Sequence, residues 1–103
     1  MLPVLASLIW STHALAGFDE GVFAFLSGDY AEAFGEFRPL AERGDVLAQV
    51  NLGVMYHTGQ VTPQDFAKAF HWCLQAANQG DAVAQFNTGI MYLLGQGMPR
   101  DYV

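Results

Sequence analysis

The chain repeats itself with a fixed period, and this constrains its fold more than any other feature. GDVLAQVNLGVMYHTGQVTPQDFA (Gly44–Ala67) begins again 36 residues on as GDAVAQFNTGIMYLLGQGMPRDYV (Gly80–Val103), with twelve of the 24 aligned positions identical. The same step backwards lays DFAKAFHWCLQAANQGD (Asp65–Asp81) on DYAEAFGEFRPLAERGD (Asp29–Asp45). A period of this size means stacked supersecondary units, each too small to bury its own apolar face. At 103 residues the chain is one small domain, and small domains need staples or stacked neighbours. One cysteine, Cys73, allows no internal disulfide framework and no multi-cysteine zinc site. Neighbouring repeats are the remaining source of stability.

The first sixteen residues read differently. Leu2 to Trp10 is apolar and uncharged, and Ala14–Leu15–Ala16 has the small-x-small form of a secretory cleavage site. The run is shorter than the roughly 20 residues that span a bilayer as a helix. The pattern predicts a signal peptide over 1–16, cleaved after Ala16, and hence a periplasmic or secreted protein. All charged residues follow Gly17, so the mature part keeps the full net charge of −6. An acidic chain without a basic cluster is ill suited to phosphate backbones or anionic membranes. Nucleic acid is excluded as a partner, and so is a membrane beyond the export signal.

The rest reads as helices. Gly17 to Leu26 is a short one, weakened by Gly21. Asp29 caps the next, Tyr30 to Glu42, with Glu32 completing a capping box. Its stripe is Ala31, Phe34, Phe37, Leu40 and Ala41, and Pro39 predicts a kink near Gly35–Arg38. Gly44 and Gly80 end helices in the left-handed conformation, and Asp45, Asp65 and Asp81 cap the helices that follow. Those helices run over Val46–His57, Phe66–Asn78 and Ala82–Leu93. The chain then stops where a further helix should begin. At about 100° per residue, Ala48, Gln49, Leu52, Gly53 and Tyr56 share one side of the middle helix. Leu47, Asn51, Val54 and Thr58 lie opposite, flanked by Val50 and His57. Gly53 and Gly89 recur at one phase, which predicts close helix approach. Tyr56 and Tyr92 should each fill a helix pair. In the following helix Phe66, Ala69, Phe70, Cys73, Ala76 and Ala77 face inward.

These residues resemble the Sel-one-like repeat family, a relative of the tetratricopeptide repeat with a longer inner loop. The matching pattern is Ala48-Gln49-x-x-Leu52-Gly53-x-x-Tyr56-x-x-Gly59, then Pro63-x-Asp65-x-x-Lys68-Ala69-x-x-Trp72, then Ala76-Ala77-x-Gln79-Gly80. Thr88 departs from it at the Leu52 position, and Cys73 stands where an aromatic residue is usual. The resemblance implies a right-handed helix-turn-helix solenoid of about two and a half repeats. Residues 17–44 form a first, tetratricopeptide-like repeat, 45–80 a full Sel-one-like repeat and 81–103 a partial one. It also implies an adaptor that binds a protein or peptide partner, often in exported bacterial proteins.

Catalytic chemistry finds little support. His71 and Cys73 are two apart on a helix, roughly 200° around, so they share no metal. Cys73 lies mid-helix on an apolar face, away from the base or helix N-terminus that activates a thiol. Asp19 and Glu20 diverge by about 100° on a helix. The GQG of Gly95–Gly97 follows no strand and precedes no phosphate-binding Lys. No catalytic residue, metal or cofactor is expected. The alternative is β-lactamase or cell-wall hydrolase activity, associated with a cysteine-rich branch of the family. That branch has a disulfide in each repeat, and this chain has neither those cysteines nor a Ser-x-x-Lys.

The expected site is the concave face, where first helices of successive repeats line up. Leu47, Val50, Asn51 and Val54 would stand beside Val83, Phe86, Asn87 and Ile90. Asn51 and Asn87 hold the same place one repeat apart. An amide both donates and accepts, so each can hold the backbone of an extended peptide; the alternative is that they bond within the solenoid or to water.

Overall fold

A computed structural model describes residues 16–97. Five helices follow in order: α1 Ala16–Leu26, α2 Tyr30–Glu42, α3 Val46–Thr58, α4 Phe66–Asn78 and α5 Ala82–Leu94. Each packs on the next, α1 on α2 through to α4 on α5. Among the described residues the fold is all-α, a helical repeat solenoid. The expected signal peptide and the end of the third repeat lie almost wholly outside the described residues.

Three of the corners between successive helices are built alike. Gly28, Gly44 and Gly80 all have positive φ. The aspartate after each donates its N–H back into the finished helix: Asp29 to Ala24 O, Asp45 to Leu40 O and Asp81 to Ala76 O. Its carboxylate then accepts from the third residue of the new helix, Glu32, Ala48 or Ala84. A left-handed residue followed by an N-cap satisfies orphan carbonyls and orphan N–H groups within two residues. The capping box at Asp29 forms by half, because the Asp29 N–H is already taken by Ala24. The Glu32 carboxyl instead has its proton affinity raised, chiefly by a hydrogen bond with the Asp29 side chain and then by that group's charge.

Alanine and glycine set the helix spacing. Ala24, Ala33, Phe37, Ala41, Ala48, Leu52 and Met55 form one buried cluster. Tyr56, Ala69, Cys73 and Met91 form a second, and Phe34 and Trp72 pack against both. A Cβ at Gly21 would stand 2.6 Å from Phe37 Cε1, and one at Gly53 would stand 2.5 Å from Cys73 Sγ. Both glycines are holes that receive a side chain of the next helix. Gly21 thus gives up helix propensity for a seat under Phe37.

Two expectations change, the buried stripe of α2 and the role of Tyr92. In α2 the buried stripe is Ala33, Phe37 and Ala41, while Ala31 is exposed. The i, i+4 spacing through Phe37 sets the face, with Phe34 and Leu40 at its flanks. Helix α2 continues through Pro39 to Glu42. Pro39 and Gly35, four residues back, are both exposed, so the carbonyl deprived of its partner lies on the solvent side. Finally, Tyr92 does not repeat the role of Tyr56: Tyr56 is 5% exposed beneath α4, and Tyr92 is 55% exposed. Gly89 likewise has nothing within 4 Å of its Cβ direction. Among the described residues no helix covers α5 as α4 covers α3.

Candidate functional site: the hollow between the first helices

Helix α3 is fixed at both ends. Asp45 caps its start, and Gly59, in the left-handed conformation, closes its end with an N–H to Met55 O. The loop after it folds back on it: the Asp65 N–H donates to Tyr56 O, and Gln64 Nε2 donates to His57 O at 2.7 Å. Glutamines join the repeats. Buried Gln49 donates to Ala41 O and accepts from Gln79 Nε2 at 3.0 Å, and Gln79 also donates to Gly44 O. One repeat on, Gln85 donates to Ala77 O in the same way. These clasps hold α3 and α5 at set positions on the preceding repeat.

A hollow of about 310 Å³ lies between α3 and α5. Gly53, Val54 and His57 line it from α3, and Phe86, Asn87, Ile90 and Met91 from α5. Cys73 of α4 lines it as well. The lining is mostly apolar. His57 is held in place by an Nε2–Gln96 Oε1 hydrogen bond at 3.1 Å and by the Phe66 ring at 5.1 Å. Burial raises the proton affinity of the Cys73 thiol above the ordinary range, so the sulfur is a neutral wall atom at pH 7.

Four of the eight expected site residues therefore meet in one place: Val54, Phe86, Asn87 and Ile90. Leu47 and Val83 are exposed apolar residues, and Val50 and Asn51 are half-buried; none of these four lines the hollow. Gly53, His57, Cys73 and Met91 also line the hollow and are not among the expected residues. His57 had a signal in the sequence, since it flanks the face of Val54. Helical spacing gives Gly53 and Cys73 a packing role alone, yet the thiol that fills the space over Gly53 also forms part of the wall.

The amides of this surface differ in their engagement. Gln49 and Gln85 are hydrogen-bonded to the preceding repeat. Asn51 and Asn87, two residues further on in the same helices, make no side-chain hydrogen bond among the described residues. No described helix is long and apolar enough to cross a membrane, and no three potential metal ligands gather among the described residues.

Comparisons with known proteins agree with this architecture. The family model for the Sel1 repeat matches residues 46–81 and 82–103. One similar solved structure is a protective antigen of uropathogenic Escherichia coli strains, described as displaying an SLR fold. It superposes with a TM-score of 0.78 at 33% identity, over 91% of this chain. Another is a Sel1 repeat protein from Oxalobacter formigenes, with a TM-score of 0.73 at 34% identity over 94% of this chain. This chain spans 21% of the length of the first and 76% of the second. No curated protein matches the sequence. The two matched segments take in more than half of the residues, and the chain belongs to the Sel1 repeat family.

Proposed function

We propose that the protein is a non-catalytic interaction scaffold that binds an extended peptide or protein segment along the face shared by α3 and α5. Sel1 repeat proteins commonly mediate protein–protein interaction, which supports the general class. The observation that carries the specific face is the unengaged pair Asn51 and Asn87. Both amides are half-buried and make no side-chain hydrogen bond among the described residues, so each is free to donate to and accept from a ligand, and these two stand one repeat apart on an otherwise apolar strip. Stacked first helices about 10 Å apart correspond to roughly three residues of extended chain. Each amide would hold one peptide unit, while Val50, Val54, Phe86 and Ile90 contact side chains between them. The outer strip continues through Leu47 and Val83. Binding of such a short contact is expected in the micromolar range, about −8 kcal/mol.

The test is the double variant Asn51→Ala with Asn87→Ala. It should weaken peptide binding and leave the melting temperature nearly unchanged, since neither amide bonds within the fold. A double variant that melts early but binds normally once refolded would move the site elsewhere. We further propose that the protein is exported with removal of 1–16, on the apolar run and the Ala14–Leu15–Ala16 site. Mass spectrometry of the protein from cells reads this directly: an N-terminus at Gly17 is expected, and one at Met1 in a soluble cytoplasmic fraction contradicts it.

A further inference from the structure

If α3 and α5 together bind a peptide, as proposed, the hollow between them points to the chemistry of that partner. We infer that it is an anchor pocket, taking one large apolar side chain from a positively charged, extended segment of a partner protein.

Size comes first. A space of about 310 Å³ is at the low end for clefts that bury a small molecule, roughly 300–1,000 Å³. It suits one large side chain better than a helix or a folded domain. Its wall is made by Val54, Ile90 and Met91, with the Cys73 sulfur held neutral among them. Asn87 stands in the same wall with no partner among the described residues. It supplies a donor and an acceptor for the backbone that carries the anchor.

The surroundings show that the occupant is a chain rather than a compact molecule. Phe86 is 69% exposed and Val83 58% exposed, so the apolar surface runs out of the hollow along α5. They also set its charge. Neither α3 nor α5 contains Asp, Glu, Lys or Arg, and each helix is preceded by a carboxylate, Asp45 and Asp81. Each carboxylate commits its Oδ1 to the helix cap. Asp81 lies five residues before Phe86, about 7.5 Å along the helix, or roughly two residues of extended chain. Of the described cations, Arg38 pairs with Glu42 and Lys68 lies over the Tyr56 ring, while Arg43 stands at the α3 end, two residues before Asp45 and far along the chain from Asp81. With a net charge of −6, the chain attracts a segment with Lys or Arg close to its apolar anchor.

The experiment is affinity selection of a random dodecapeptide library on the purified full chain. The best-enriched peptide is then synthesised and titrated into protein carrying 13C-methyl methionine. The expected sequences have one Leu, Ile, Met or Phe with Lys or Arg within three residues. The peptide should shift the Met91 methyl resonance and leave Met55, buried in the other cluster, in place. It should also slow methanethiosulfonate modification of Cys73, the sole cysteine. Replacing the peptide's anchor by Ser, or Ile90→Trp in the protein, should each weaken binding at least about tenfold. Ile90 stands on the exposed side of the wall, and circular dichroism checks that this variant folds.

The outcomes separate the anchor pocket from the peptide-binding face. If binding falls in the Asn51→Ala, Asn87→Ala variant while Met91 and Cys73 do not respond, the face stands and the anchor pocket is wrong. Enrichment of acidic peptides, or of peptides without an apolar residue, also overturns the pocket. So does a Met91 shift that accompanies self-association of the free chain, since a second copy then fills the hollow. If no peptide is enriched, or binding ignores both sets of variants, the peptide-binding function falls, and the pocket with it.

Discussion

Gly53 and Gly89 occupy the same repeat position and should respond oppositely to the same substitution. A Cβ at Gly53 would stand 2.5 Å from Cys73 Sγ, with Ala69 O at 3.4 Å and the Cys73 N at 3.5 Å behind it. The sulfur is buried and backbone confines the space, so Gly53→Ala must displace α4. Overpacking of this kind costs about 1–3 kcal/mol, against a helix-propensity gain of about 1 kcal/mol. The net for Gly53→Ala is a loss of up to about 2 kcal/mol, or roughly 8–16 °C at 4–8 °C per kcal/mol for a domain of this size. Gly53→Leu drives further atoms into the same contact and should be among the worst single changes in the chain. At Gly89 nothing lies within 4 Å, so Gly89→Ala keeps the propensity gain and should raise the midpoint by several degrees. Thermal unfolding followed by circular dichroism compares the two variants. Cys73→Ala removes the opposing sulfur, so the double variant with Gly53→Ala should show a favourable coupling relative to the single changes. Equal shifts at Gly53 and Gly89, or no coupling with Cys73, would refute the close approach of α3 to α4.

The same contacts have other consequences. Gln49→Leu leaves Ala41 O and Gln79 Nε2 without their buried partner and should cost about 1–3 kcal/mol, read from the denaturation midpoint. Gln85→Leu, at the exposed equivalent, should cost well under that. Burial raises the Cys73 thiol above its ordinary value of 9.0, so the folded state holds this proton more tightly than the unfolded chain. The resulting stability is complete below about pH 9 and is lost as pH rises through the folded value. Cys73→Ala should flatten that alkaline slope, and an unchanged slope would assign it to other groups.

Much of this fold is legible in the sequence because the signals are local. The Gly–Asp corners need only a left-handed residue and a capping carboxylate, so the caps at Asp29, Asp45 and Asp81 can be placed from residue type alone. The buried face of α3 follows from the angular spacing of Ala48, Gln49, Leu52, Gly53 and Tyr56. Errors arise where two helices must agree. Ala31 and Ala33 are both small and near the apolar stripe, and only the position of Phe37 over Gly21 decides between them. Tyr92 and Gly89 copy Tyr56 and Gly53 in identity, but burial comes from the covering helix and not from the repeat letter. The hollow is half visible: its α5 wall lies on the expected strip, whereas Cys73 enters from α4. A one-helix projection does not reveal that third wall.

The proposal that α3 and α5 together hold a partner segment is tested most directly by amide hydrogen exchange with and without the selected peptide. Slowed exchange is expected in Val50–Val54 and in Phe86–Ile90, with α1 and the outer side of α2 unchanged. Protection confined to α2 or to the exposed side of α4, with those two stretches unaffected, would contradict it.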